Sequence, residues 1–495
     1  MPFTPTDEQD AALEAFTKGD HLAIQAGAGT GKTSTLALLA EQAPGRRGRY
    51  LAFNRAIALE AAVRFPSTVL CKTAHSLAYA AVGHRFRGRL NSPRRPGWVV
   101  GQDLGLYAPA RIHGVDVLPA TLSNTVLRTV TRFCQSADQE LRDCHVPRLR
   151  RIDNDEAHGE LADLILPYAM KAWADLQDPN AGMVRFEHDH YLKMWALTDP
   201  VLPGDFLLLD EAQDTNPVLE QVVLAQKGTS QIVMVGDSAQ AIYGWRGARD
   251  VMTGFDAVHL PLSRSFRFGP ALAAEANRWL ALSKAPIELS GCPDIATTVG
   301  PHTHRPDAVL CRTNIGAITE ILTLLEDHVA TALVGGGESL RALAQAARNL
   351  IDGQRTPHPE LMLFTTWPTL RDYAEHDPAG GDLQPFVNLI DDYGPDAIIR
   401  AVDRLVPESQ AQVTVSTAHK AKGREWPRVR IAADFNPPPD SEVHDAAGKP
   451  IPGPVDETEA RLAYVAVTRA RRHLDARGLE WINAHPDNPG APVSR

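Results

Sequence analysis

Short apolar runs alternate with Ala- and Leu-rich stretches along most of the chain. Residues 21–25 (HLAIQ), 50–53 (YLAF) and 67–71 (STVLC) each predict a short buried strand. Two more, 205–209 (DFLLL) and 231–235 (QIVMV), run straight into acidic residues. A helical pattern follows the first strand through about Gln42. A second block begins near residue 266, with strand signals at 307–311 (DAVLC), 331–334 (TALV), 412–416 (QVTVS) and 428–432 (RVRIA). Strands this apolar, alternating with helices, predict parallel sheets covered on both faces. Between them lie an Arg-rich stretch with helical patterns at 121–144 and 159–177, and a compact helical stretch at 356–407. Residues 436–454 read as an exposed Pro-rich loop. The predicted layout is an α/β first core (1–83 and 181–265) with a mainly helical insertion (84–180), and a second core (266–355 and 408–495) with a short insertion (356–407).

Composition changes this picture little. The 495 residues are 44% hydrophobic, enough for several buried cores. No apolar run approaches the ~18 residues of a spanning helix, and the N-terminus predicts no secretory signal. Five Cys without a CxxC pair predict neither a disulfide scaffold nor a structural zinc site, and suit a reducing cytoplasm. The balance of 50 basic against 60 acidic residues does not favour a nucleic-acid binder, but binding depends on local patches. Arg85, Arg87, Arg89, Arg94 and Arg95 form one basic stretch, and Arg148, Arg150 and Arg151 a second. Each reads as a solvated surface or as a place for phosphate contacts.

The run AGAGTGKT at 26–33 has the pattern of a phosphate-binding loop, with Ala26 where the first Gly is usual. Small residues (Ala26, Gly27, Ala28, Gly29, Thr30, Gly31) let backbone N–H groups curl around phosphates, and Ser34 continues the helix that follows. Lys32 is placed to reach the β/γ oxygens and the Thr33 hydroxyl to ligate Mg²⁺. In LLLDEAQD (207–214), Asp210 is the expected metal partner, and Glu211 the residue to orient and deprotonate an attacking water. A loop and two carboxylates so arranged predict hydrolysis of a nucleoside triphosphate, and say nothing yet of what the hydrolysis drives.

With these stand TDEQ (6–9), AFNRA (52–56), TAHSLAY (73–79), HDHYLKMW (188–195), VGDSAQAIYGWRGA (235–248), SFR (265–267), CRTN (311–314), STAHKAKGREW (416–426) and EARLAYVAVTRAR (459–471). In this order the set resembles superfamily 1A helicases of the UvrD/Rep/PcrA type, above all the short F-box-DNA-helicase branch. The resemblance implies two RecA-like parallel-sheet cores with ATP and Mg²⁺ bound at their interface. It implies that Gln9 reads the adenine edge, Phe266 stacks on the adenine and Glu425 holds the ribose. Gln240 would sense the γ-phosphate, with Arg267 and Arg469 acting as fingers from the second core. On the nucleic-acid side it implies stacking and backbone contacts from Tyr243, Trp245 and Arg246, and polar contacts from Thr73, His75 and His419. A capping or packing role rivals the DNA role of Thr73, His75 and His419.

One departure concerns Phe53. Relatives carry an aromatic one position earlier, where this chain has Ala52. Successive strand side chains face opposite ways, so a core role and a DNA role both stay open for Phe53. The activity implied is ATP-dependent 3′→5′ movement on single-stranded DNA and at single/double-strand junctions, by a monomer without a membrane. The alternatives are a translocase that strips proteins such as recombinase filaments with little unwinding, an ATP-gated binding protein, and an enzyme acting on RNA. The pathway and any repair partners are not legible.

Overall fold

The computed structural model describes the chain except for residues 1–3, 91, 94, 150, 151, 153, 243–249, 302, 303, 359, 360, 363, 377–382, 445–447, 449 and 490–495. It divides into two compact units, one of Met1–Ala26 with Gly31–Leu262 and one of Gly27–Thr30 with Ser263–Arg495.

The first unit is built on a six-stranded sheet. Its order is Val69–Thr73, Gly48–Ala52, Phe206–Leu209, Gln231–Gly236, Leu22–Ala26 and Val258–Leu262, every neighbouring pair parallel. Phe206–Leu209 and Gln231–Gly236 are buried at every position, as strands covered on both faces must be. Alternate residues serve two cores. Leu22, Ile24, Tyr50, Phe206, Leu208, Val233 and Val235 pack with Phe16, Leu36 and Leu39. Ala23, Leu51, Leu207, Leu209, Ile232 and Met234 face a helical layer that includes Phe133, Leu161, Leu192 and Trp195. That layer contains the helices Gly97–Leu104, Pro119–Gln135, Asp155–Leu176 and His188–Ala196. A small antiparallel hairpin, Ala110–Ile112 with Val115–Val117, joins the first two.

The second unit has its own six-stranded sheet in the order Thr298–Val299, Ala470–Asp475, Trp426–Ile431, Ala308–Cys311, Val413–Thr417 and Thr331–Leu333, again parallel throughout. The helices Trp367–His376, Gln384–Tyr393 and Pro395–Asp403 bury Leu370, Phe386, Ile390 and Ile398 in one core with Val309, Leu325 and Val413. The chain is thus mixed α/β with two parallel-sheet cores. Among the described residues no helix is long and apolar enough to cross a membrane.

Three expectations need correction. The helical pattern at 121–144 stops at Gln135, because Ser136 turns extended (φ −92°, ψ 160°), and only a short 3₁₀ turn at Asp143–His145 follows. The Pro-rich 436–454 stretch contains an antiparallel hairpin, Asp440–His444 with Pro450–Pro452. Arg89, read as part of a surface patch, is buried: its guanidinium donates to the carbonyls of Asp175, Asp178 and Val184 and pairs with the Asp175 carboxylate. Arg95 and Arg148 are paired with Asp103 and Asp155, while Arg85 and Arg87 stay exposed. Arg94, Arg150 and Arg151 lie outside the described residues.

Candidate active site

Parallel strands point the same way, so Leu22–Ala26, Phe206–Leu209 and Gln231–Gly236 end on one edge of the first sheet, where ligands of open α/β sheets bind. Asp210 follows the second of these strands and is buried. Its Oδ2 accepts from the Thr33 hydroxyl (2.8 Å) and from the Tyr50 hydroxyl (2.6 Å), and its Oδ1 from the Glu211 N–H (2.9 Å). Burial, and after it the neighbouring Glu211 charge, pushes the Asp210 carboxyl up from the ordinary range, against Tyr50, Thr33 and Lys32. The Tyr50 phenol is driven up in turn, by burial and then by Asp210. Thr33 is fixed because the helix Lys32–Glu41 starts from Gly31, whose φ of 82° is left-handed backbone that glycine adopts without strain. A buried carboxylate against a hydroxyl is an all-oxygen donor set, and it fits a hard divalent cation such as Mg²⁺.

Glu211 also takes left-handed backbone (φ 53°), here without glycine's licence. Its Oε2 accepts from Gln213 Nε2 (2.6 Å), and Gln213 Oε1 accepts from the Asp237 N–H (2.9 Å). Gln240 Nε2 donates to Asp237 Oδ2. Glu211, Gln213, Asp237 and Gln240 therefore form one chain across two strand ends. Beside it, Ser238 Oγ touches Gln25 Oε1 (2.6 Å) and the Asp250 carboxylate. Reading the sequence missed Tyr50 and Gln213. Only the second carried a signal, its place inside DEAQD.

Other nucleotide candidates in the first unit are occupied differently. Gln9 is buried in a capping box: its Oε1 accepts from the Thr6 N–H (3.0 Å), and its Nε2 donates to Thr35 Oγ1 (3.0 Å). The Ser34 hydroxyl accepts from Arg64 (2.9 Å). Ala26 ends a buried strand, and Lys32 acts on Asp210 through its charge. Gly27–Thr30 group with the second unit, where the Thr30 hydroxyl donates to the Gly27 carbonyl (3.0 Å) and Gly29 is left-handed (φ 76°).

In the second unit, Arg267 Nε makes an ion pair with Glu425 Oε2 at 2.7 Å, and its Nη1 donates to the Thr468 carbonyl (3.1 Å). Arg469 is buried, donating through Nε to the Val465 carbonyl (2.8 Å) and through Nη2 to Thr468 Oγ1 (2.9 Å). Phe266 is exposed, with the Arg264 guanidinium 5.8 Å from its ring centre. His419, just past Val413–Thr417, is held below the ordinary imidazole range by burial and then by Arg312.

Of the nucleic-acid candidates, Thr73 caps the helix Ala74–Ala81 by accepting from the Ser76 N–H (3.1 Å). His75 Nε2 lies 3.3 Å from Asp189 Oδ1, and that hydrogen bond holds the Asp189 carboxyl below the usual range. Phe53 is 51% exposed, which removes its core role. Phe53, His75 and Asp189 line a cavity of about 220 Å³ that also reaches Asp210 and Glu211. Tyr243, Trp245 and Arg246 lie outside the described residues. Elsewhere, Asp138, Cys144 and His145 bring possible ligand atoms within 4.8 Å of one another. Both His145 nitrogens are already engaged, Nδ1 by the Arg142 backbone N–H (2.9 Å) and Nε2 by Ser136 (3.0 Å) and Asp138 (3.0 Å), so the fold satisfies this imidazole without a metal.

The chain is similar to known helicases. Residues 203–253 match the family described as the UvrD/REP helicase N-terminal domain, and residues 337–475 the UvrD-like helicase C-terminal domain. F-box DNA helicase protein 1 of Schizosaccharomyces pombe is 28% identical over 95% of this chain and 57% of its own length. F-box DNA helicase 1 of Gallus gallus is 29% identical over 95% of this chain and 48% of its own length. ATP-dependent DNA helicase UvrD2 of Mycobacterium tuberculosis is 27% identical over 58% of this chain. The chain spans about half the length of the curated relatives it matches.

Proposed function

We propose that the chain, which is similar to UvrD-like helicases, is an ATP-dependent DNA helicase or translocase that moves 3′→5′ on single-stranded DNA. The observation that carries this reading is the meeting of the Thr33 hydroxyl and the buried Asp210 carboxylate beside Glu211. In this reading the backbone of the 26–33 loop and Lys32 hold the ATP phosphates, with Gln9 and Phe266 at the adenine and Glu425 at the ribose. Thr33 and Asp210 hold Mg²⁺, which supplies charge neutralisation at the β- and γ-phosphates. Glu211 takes the proton of the attacking water, its carboxylate steadied by Gln213. Gln240, tied to the same chain of hydrogen bonds through Asp237, senses the γ-phosphate. Arg267 and Arg469 meet the charge that develops on the transferred group, a contribution of roughly 10³–10⁵ in rate where such fingers have been removed.

Because these arginines belong to one core and Glu211 to the other, turnover needs the cores to close, and closing moves the strand. Phe53, Thr73, His75, His419, Tyr243, Trp245 and Arg246 bear on that strand. Stacking and phosphate contacts suit a monomer working on single strands and junctions of any sequence.

The test is ATP turnover with and without single-stranded DNA, followed by unwinding of 3′- and 5′-tailed duplexes. Stimulation by DNA and unwinding of the 3′-tailed duplex alone are expected, and turnover indifferent to DNA would overturn the reading. A translocase that displaces bound proteins is the second reading. The small insertion favours it: among the described residues the 356–407 stretch holds three helices of 10, 10 and 9 residues. Displacement of protein from DNA without unwinding of either duplex would select it.

A further inference from the structure

We infer that Glu425 is a positioning residue for Arg267, holding its guanidinium in the orientation from which it meets the transferred phosphate. The inference rests on the reading above and deepens it, since that reading gives Glu425 the ribose alone. Glu425 stands immediately before the strand Trp426–Ile431, and Arg267 lies between the short strand Arg264–Ser265 and the helix Pro270–Leu282. Two segments distant in sequence thus grip one guanidinium. Glu425 Oε2 lies 2.7 Å from Nε, and the Thr468 carbonyl accepts from Nη1 at 3.1 Å. Among the described residues, Nε meets Glu425 as an ion pair without a hydrogen bond, and Nη2 makes no hydrogen bond either, which leaves the Nη2 edge to face an anion. The other Glu425 oxygen lies 3.6 Å from the Arg471 guanidinium.

Arginine is long and rotamer-rich, and a finger that must be ordered during the reaction loses part of its benefit to entropy. A carboxylate that holds the guanidinium by its charge, with a carbonyl that fixes Nη1, lowers this cost in advance, which is what preorganised electrostatic stabilisation requires. The Arg267 side chain is only 20% exposed, so the grip is partly sheltered from water. A carboxylate has about four acceptor sites, so holding Arg267 does not prevent Glu425 from accepting a ribose hydroxyl as well. The two roles coexist in one side chain and separate by substrate.

The experiment compares the wild-type full chain with Glu425→Ala, Glu425→Gln, Arg267→Ala and the double variant Glu425→Ala/Arg267→Ala, at saturating single-stranded oligonucleotide. Each is assayed with ATP and with 2′,3′-dideoxy-ATP, which has no ribose hydroxyls to hold. A positioning role predicts that Glu425→Ala lowers kcat about 10- to 100-fold with both nucleotides, the scale of a misplaced catalytic group. Glu425→Gln, which keeps the shape and an acceptor oxygen, loses less. Once Arg267→Ala is present, adding Glu425→Ala costs no further kcat with the dideoxy nucleotide. If Glu425→Ala raises KM for ATP and changes nothing with 2′,3′-dideoxy-ATP, the side chain serves the ribose alone and the inference falls. Additive losses in the double variant would overturn it equally. A wild-type chain with no turnover of ATP would instead remove the underlying reading, and this inference with it. Unchanged thermal unfolding of Glu425→Gln distinguishes lost positioning from lost fold.

Discussion

The two cores hold their charged groups by opposite means. In the first, the Asp210 carboxylate is buried and held by neutral dipoles, namely the hydroxyls of Thr33 and Tyr50 and the backbone N–H of Glu211. In the second, Arg267 is held by a full opposite charge on a half-exposed side chain, Glu425 at 39%. Dipoles satisfy hydrogen bonds without cancelling charge, so the first arrangement leaves a carboxyl pushed upward by burial and receptive to a cation. A carboxylate near water cancels charge at little desolvation cost. In the proposed cycle the first core's charge is fixed and the second core's must engage and release.

The largest expected effect tests the fixed side. Glu211→Gln keeps the size and an acceptor for Gln213 but removes the proposed base. Turnover should fall about 10²- to 10⁴-fold, with ATP and DNA binding retained. Retained turnover would shift the base elsewhere and deprive the carboxylate pair of its catalytic meaning.

Lys193 extends the same contrast to a cation. Buried on the helix His188–Ala196, it donates to the carbonyls of Ser136 (2.8 Å) and Asp138 (2.5 Å) and lies 4.4 Å from the Phe133 ring centre. Burial lowers its pKa from 10.5 to about 8. A lowered ammonium pKa means that the folded chain sheds this proton before the unfolded chain does. Stability attributable to Lys193 should therefore rise with pH between about 8 and 10.5, by on the order of 3 kcal/mol. Urea unfolding of wild type and Lys193→Met across that window isolates the slope. Parallel curves would mean that dipoles alone neutralise a buried charge, against the contrast drawn here.

How far these arrangements could be read in advance depended on range. Runs such as FLLL in Phe206–Leu209 are legible because a strand covered on both faces needs no polar alternation. Val258–Leu262 (VHLPL) was not, since an edge strand tolerates Pro261 and exposed residues that break the pattern. Ala470–Asp475 hides behind Arg471 and Arg472, two adjacent exposed charges that break an apolar run. Thr33 and Asp210 were legible as a pair through their motifs, and the structure brings them together. Tyr50 was not, because a phenol inside YLAF looks like core until its partner, 160 residues away, is known. Arg89 misled for the same reason: its buried acceptors lie 86 to 95 residues downstream, while its neighbours in sequence are exposed arginines.

Tyr50→Phe sharpens the comparison at smaller scale. It removes one charge-assisted hydrogen bond to a buried carboxylate, and should cost about 2 kcal/mol in unfolding free energy. Glu425→Ala breaks an ion pair whose carboxylate is half-exposed and should cost less, about 1 kcal/mol. Chemical denaturation of the two variants side by side orders them. The reverse order would mean that the second core, not the first, carries the structural charge.

The smallest effect lies in the backbone of Glu211. Its φ of 53° places a residue with a Cβ where only glycine is at ease, at a cost of roughly 1 kcal/mol. This strain sits between the Asp210 carboxylate and the Gln213 amide, where the Glu211 side chain joins the hydrogen-bond chain. Two variants expose it. Glu211→Ala keeps the Cβ and the strain, whereas Glu211→Gly loses both, so the glycine variant should be the more stable by about 0.5–1 kcal/mol although its unfolded chain is freer. Thermal unfolding of the pair, without nucleotide, reads the difference. If alanine proves the more stable, the left-handed turn is relaxed in solution, and the first core holds Glu211 no more rigidly than the second holds Arg267.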